Sequence, residues 1–191
     1  IGRRGVTGWE LRVKGHPAHS SQIFNKENGY GALFEAARIL NTFREKLAAE
    51  PHLTFNPGVM VGGTSVEYDA PASRGSAFGK SNVIPEVAVV TGDLRALTPQ
   101  QFEAAKQAMQ QIAAASLPQT NATLSFDEGY PALAPTPGNE RLLALYNQAS
   151  LDVGAGEVVA VDPDKAGAAD VSFISGQAKM ILGGVGLMGS G

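Results

Sequence analysis

A ferredoxin-like α+β sandwich is predicted for residues 6–129, and three observations carry the prediction. Stretches of period two and period 3.6 alternate in the order β-α-β-β-α-β. Two helices cover only one face of the four-stranded antiparallel sheet that this order makes. The second helix also has an explicit start: Thr98 as N-cap, Pro99 in the first turn and Gln101 completing a Thr-x-x-Gln capping box.

The elements follow in order. "VTGWELRVK" (6–14) places Trp9, Leu11 and Val13 on one face of a half-buried strand. After a loop at 15–31, "ALFEAARILNTFREKLAA" repeats Leu33, Ala37, Leu40, Phe43 and Leu47 at spacings of three and four, the pattern of an amphipathic helix that Pro51 ends. "HLTFNPGVMVGG" is a second strand, made irregular by Pro57-Gly58. Residues 64–81 are rich in Gly, Ala and Ser and read as an excursion without an assigned role. "EVAVVTGDLRAL" is a strong strand opened by Pro85, and the capped helix 98–115 buries Phe102, Ala105, Met109 and Ile112. "ATLSFDEG" closes the set.

Past the proline-bearing "YPALAPTPGN" the grammar changes. Asn139 is expected to cap the helix "ERLLALYNQASLD". "EVVAV" reads as a short strand, "AGAADVSFISG" as a helix and "AKMILGG" as a strand, an incomplete α/β segment that needs further strands to pair with. The predicted domains are 5–130 and 131–191. The abrupt start "IGRRGVTGWEL" and the glycine-rich end "MILGGVGLMGSG" both read as cuts.

Composition excludes several classes of function. Hydrophobic residues at 43% and charged residues at 17% describe a globular chain. A net charge of -3 with no basic run leaves no footprint for nucleic acid. No stretch approaches the roughly 18 apolar residues of a membrane span. The chain has no cysteine, which excludes disulfides and thiolate chemistry and is compatible with either cytoplasm or periplasm.

Four stretches could carry chemistry. "KGHPAHSSQ" places His16 and His19 in a loop with no acid between Glu10 and Glu27, weak grounds for a metal site. In "KSNVIPEVAVVTGDLRAL", Asn82 precedes a strand that ends near Arg95, a cation that must find an anion in so apolar a run, either Asp93 or a ligand carboxylate. Asp170 in "AGAADVSF" suits a helix start, and "GGVGLMGSG" permits close backbone approach.

Taken together and in order, "GRRGVTGWELRVKGHPAHSS", "SNVIPEVAVVTGDLRAL" and "GAADVSFISGQAKMILGGVGLMGSG" resemble the zinc-dependent peptidase and amidohydrolase family of glutamate carboxypeptidase, aminoacylase, peptidase T-like enzymes and succinyl-diaminopimelate desuccinylase. The resemblance makes 5–130 a lid, or dimerisation, domain and 131–191 the C-terminal part of a catalytic domain. It implies that His19 reaches the partner subunit's active site and steadies the oxyanion, while Asn82 and Arg95 hold the substrate's carboxylate. It further implies zinc in the intact enzyme, with metal-bound hydroxide attacking the carbonyl of a peptide or N-acyl amino acid, and a homodimer formed through the lid. The family's upstream His-x-Asp and Glu-Glu ligands have no counterpart in this sequence, so the chain itself is expected to hold no zinc and to be inactive alone. On fold alone, a non-enzymatic ferredoxin-like dimerisation or small-acid-binding module is the alternative.

Overall fold

The structure, a computed structural model, describes residues 1–185. Its elements are β1 (Gly5–Gly15), α1 (Gly31–Leu47), β2 (Thr54–Gly63), β3 (Ser65–Asp69), β4 (Arg74–Phe78), β5 (Val87–Ala96), α2 (Pro99–Ala114), β6 (Thr120–Phe126) and α3 (Pro137–Asp152). Four strands form one antiparallel sheet in the order β2-β5-β1-β6, so the expected α+β architecture is borne out. The excursion at 64–81 is a hairpin: β3 and β4 pair antiparallel, with Val66 opposite Ala77 and Tyr68 opposite Gly75.

The chain divides into two compact units, Thr7–Leu94 with Ala104–Glu128, and Ile1–Val6 with Arg95–Glu103 and the stretch from Gly129 onward. In the first, Leu11 and Val13 are fully buried and Trp9 nearly so. They sit opposite Leu124, Ala122 and Phe126 of β6, so one apolar row continues across the strand pair. Trp9 meets Phe43 of α1 edge to face at 6.2 Å between centroids, and Phe43 meets Phe55 of β2 at 6.4 Å. These contacts place α1 over the face carrying the odd-numbered residues of β1. The indole N–H of Trp9 donates to the carbonyl of Asp93 at 3.0 Å. Glycine at 92 is required here, because a Cβ would collide with the carbonyl of Asn56 and the Trp9 ring.

The buried stripe of α1 differs from the expected one. Ala32, Glu35, Ala36, Ile39 and Phe43 are buried, while Leu33 and Leu40 lie half-buried on the flank and Ala37 is exposed. A carboxylate occupies the middle of the true stripe, which is why hydrophobicity alone misplaces it. Glu35 is fully buried and binds the guanidinium of Arg38 through both oxygens, at 2.7 and 2.9 Å. It also accepts from the Leu117 N–H at 3.2 Å, and Arg38 donates to the carbonyl of Ile112 at 3.1 Å. The hydrogen bond to Glu35 raises the Arg38 pKa above its usual value. One charged pair thereby ties α1 to the last turns of α2 and to the approach to β6.

The opposite face of the sheet is partly covered by the hairpin. The Tyr68 hydroxyl and Thr91 Oγ1 of β5 are 2.9 Å apart. A polar cavity of about 470 Å³ is lined there by Gly8, Glu10, Tyr68, Thr91, Asp93 and Asp127.

In the second unit the capping box forms: the Gln101 N–H donates to Thr98 Oγ1 at 3.1 Å, and Gln101 Oε1 accepts from the Leu97 N–H. The cap of α3 is Thr136 rather than Asn139, since Thr136 Oγ1 accepts from the Asn139 N–H at 3.1 Å and Pro137 fills the first turn. Asn139 is 2% exposed. Its amide donates to the carbonyls of Ile1 (2.9 Å) and Ala134 (3.4 Å) and accepts from the Ile181 N–H (2.8 Å). Tyr130 hydrogen-bonds the Asp170 carboxylate, which raises the tyrosine pKa, and stacks obliquely on Phe173 at 5.2 Å. Asp170 opens only a five-residue 3-10 turn, Asp170–Ile174, where a longer helix was expected.

The expected strands at 157–161 and 178–184 do not form. A strand is stable only with a neighbour for its backbone donors and acceptors, and no described residues supply one. Val159 and Val161 are left 68% and 60% exposed. The remainder of the glycine-rich end, 186–191, lies outside the described residues.

Two consequences are measurable. Glu35→Ala should destabilise the first unit by about 2–4 kcal/mol, since it strands Arg38 and the Leu117 N–H; urea unfolding with an unchanged m-value is the check, and a loss below about 0.5 kcal/mol would refute the role given to this pair. Asn139→Ala should cost about 1–3 kcal/mol and raise amide exchange at Ile181, whereas unchanged Ile181 protection would show that the asparagine does not hold that segment.

Candidate functional site

The site begins where β1 runs out. The Gly15 N–H donates to the carbonyl of Glu86 at 2.7 Å, and the pairing then continues beyond both strands. The Ile84 N–H donates to Ala18, the Ser20 N–H donates to Asn82, both at 2.9 Å, and His19 lies opposite Val83 in an isolated antiparallel bridge. Pro85 cannot donate to this ladder, but its carbonyl accepts from the Ala32 N–H at the start of α1. The loop after β1 is thus clipped to the lead-in of β5, and His19 is held beside Asn82.

His19 is exposed and acts as N-cap of the 3-10 turn Ser20–Gln22. Its Nδ1 accepts from the Ser21 N–H at 3.3 Å and lies 2.8 Å from Ser21 Oγ. With Nδ1 accepting from the Ser21 N–H, the proton of a neutral ring is carried on Nε2, the tautomer in which the Ser21 hydroxyl donates to Nδ1. The arrangement presents one outward N–H donor, the chemistry suited to a developing negative charge on oxygen. Asn82, also exposed, lies opposite Ser20, the residue that follows His19, and is bonded to it through its backbone carbonyl. Ser21 was not singled out in the sequence; the Ser-Ser following His19 was the available signal.

The third predicted residue is elsewhere. Arg95 is half-buried near the far end of β5, eight residues past Val87, on the strand face that alternation gives to Thr91 and Asp93 rather than to Leu94 and Ala96. It belongs to the second compact unit. His19 and Asn82 are therefore the members of the predicted set that the structure brings together. His16 is exposed in the same loop. Among the described residues, no group of three or more His, Cys, Asp or Glu could hold a metal ion, and no helix is long and apolar enough to cross a membrane.

Comparison with known proteins places this geometry in context. The M20 peptidase dimerisation domain matches residues 1–121. An IAA-amino acid hydrolase ILR1-like 5 from Arabidopsis thaliana is 37% identical over 75 residues, 38% of this chain and 17% of that protein. Among solved structures, aminopeptidase PepT from Bacillus cereus superposes with a TM-score of 0.65 at 18% identity, over 94% of this chain and 43% of that one. A hydantoinase/carbamoylase family amidase from Burkholderia ambifaria gives 0.60 at 20% identity, covering 94% and 40%. A tripeptidase from Staphylococcus aureus gives 0.61 at 20% identity, covering 93% and 42%. At these identities the structures show the fold; the chain spans less than half the length of each of these proteins. With the family match extending from residue 1 through the clipped loop, both helices and into the last strand of the sheet, the chain belongs to the M20 peptidase dimerisation domain family.

Proposed function

We propose that the chain is the lid, residues 5–130, and the C-terminal catalytic portion, 131–191, of a zinc-dependent metallopeptidase or amidohydrolase that cuts an amide bond next to a carboxylate-bearing residue. The observation carrying this reading is the bridge of His19 to Val83, which brings Ser20 against the Asn82 carbonyl and so draws the two signature loops together, with Ser21 bonded to the imidazole. The relatives include an IAA-amino acid hydrolase and a tripeptidase, and acyl-amino acids and peptides share an amide flanked by a carboxylate. The exposed Leu145, Leu151, Val159, Val161 and Phe173 support the assignment of 131–191 to a larger α/β body, because so many apolar side chains are normally covered.

In this reading Nε2–H of His19 donates to the oxygen of the scissile carbonyl as charge develops on it, in the active site of a second copy. Asn82 donates its amide to the substrate carboxylate in that site, and Arg95, at the far end of β5, would donate its guanidinium to the carboxylate of the substrate in the other active site of the dimer. The described residues do not form a ligand set for zinc, so no step of the chemistry assigned to this chain runs through the metal. Its ligands would lie on the remainder of the catalytic domain, and this chain alone would show no hydrolysis. The homodimer would form through the lid, where β2 is an edge strand.

The test is kinetic, in the enzyme joined to the remainder of its catalytic domain. His19→Ala should lower kcat by about 10²–10³ with little change in KM, as for loss of an oxyanion donor. Arg95→Ala should mainly raise KM, by about 1.5–3 kcal/mol of lost charged hydrogen bonding. Unchanged kinetics in both variants would remove the catalytic reading.

A further inference from the structure

We infer that a pocket beside the His19–Asn82 pair binds the apolar part of a small carboxylate ligand, with Lys80 at its rim meeting the carboxylate; this rests on the hydrolase reading above and assigns its substrate class. A cavity of about 400 Å³ opens between the loop at 20–23, the first turn of α1, the end of β2 and the return from the β3–β4 hairpin. Ile84, 1% exposed, lies at its base, with Ile23, Leu33, Val83 and Pro85 around it. An apolar cavity of about 150 Å³ already takes a benzene ring, so this one has room for an aromatic or branched aliphatic group.

Two features argue for a ligand of this class. The cavity wall is apolar, formed by Ile23, Leu33, Val83, Ile84 and Pro85, and is closely packed at its glycines: a Cβ at Gly62 would run into the Leu33 side chain, and one at Gly63 would come within 2.6 Å of the Phe78 carbonyl. Its charge is also one-sided. Lys80 is a cation, and no acidic residue is among the described residues that line the pocket. An apolar wall with a cation and the hydroxyls of Ser20 and Ser81 at the mouth fits a group that is apolar at one end and anionic at the other. Lys80 and Ser81 directly precede Asn82 in the chain, so an occupant would adjoin the residues proposed to act on it.

The hairpin gains a role in consequence. Thr64, Gly79, Lys80 and Ser81, where the 64–81 excursion leaves and rejoins the sheet, form one wall. The excursion carries the cation to the pocket and so selects the ligand.

Titration of the ¹⁵N-labelled chain with N-acetyl-L-phenylalanine tests the inference. Saturable amide shifts should appear at Ile23, Val83 and Ile84. N-acetylglycine, which lacks the apolar group, should bind about tenfold more weakly or worse. N-acetyl-L-phenylalanine amide should bind a few-fold more weakly than the acid, and Lys80→Gln should erase that difference. Ser81→Trp, an exposed substitution, should close the mouth and abolish the shifts. Equal affinity for N-acetylglycine, shifts confined to other parts of the chain, or shifts at these amides on raising protein concentration alone, which would mark a second copy as the occupant, would each overturn the inference. Binding is read here without catalysis, so the two readings fail separately. An empty pocket with the His19 and Arg95 kinetic effects intact strikes the pocket, and a selective pocket with unchanged kinetics strikes the hydrolase reading.

Discussion

The site depends on one constraint, the adjacency of β1 and β5 at the centre of the sheet. These strands are far apart in sequence, separated by a helix, an edge strand and a hairpin. They become neighbours because the order β2-β5-β1-β6 inserts β5 between β1 and β2. Beyond the Gly15–Glu86 bond the antiparallel pairing resumes, shifted by one residue, at Ala18–Ile84 and Ser20–Asn82. His19 thus stands opposite Val83, and Ser20 opposite Asn82, as a consequence of the strand pairing and of this offset.

That register is held from the helix side. Trp9 fills the space between β1, β5 and α1, and it fits because residue 92 has no side chain. The Glu35–Arg38 pair then fixes α1 against the end of α2 and the approach to β6. A fully buried carboxylate is tolerated because its oxygens meet a guanidinium and a backbone N–H. Loss of either partner leaves a charge or a donor without its match, so the pair specifies one arrangement of the helical layer.

The second unit shows the opposite case, local sequence signals without partners to act on. "EVVAV" and "AKMILGG" have strand composition, yet neither joins a ladder among the described residues. What orders this stretch is polar: Asn139 gathers Ile1, Ala134 and Ile181, and Tyr130 engages Asp170. Asp170 thereby has a structural partner. Among the described residues, Val159 and Val161 stay mostly exposed and Phe173, despite its contact with Tyr130, is more than half exposed.

The sequence by itself determined the order of the four sheet strands and two helices within 6–129, the α+β class, the capped start of α2 and the apolar row Trp9, Leu11 and Val13. Each of these follows from period, capping chemistry or turn residues a few positions apart. The family signatures around His19 and Asn82 were legible for the same reason, as short contiguous patterns. Tertiary structure alone decided which face of α1 is buried, because Glu35 is compatible with a core only after Arg38 and Leu117 are in place. It also decided that residues 64–81 are a hairpin against the sheet, through Tyr68 and Thr91, 23 positions apart. The cap of α3 passed from Asn139 to Thr136 because the asparagine is engaged by Ile1 and Ile181, which are distant in sequence. The partner of the imidazole was likewise decided by geometry, since only the folded loop brings the Ser21 N–H onto Nδ1.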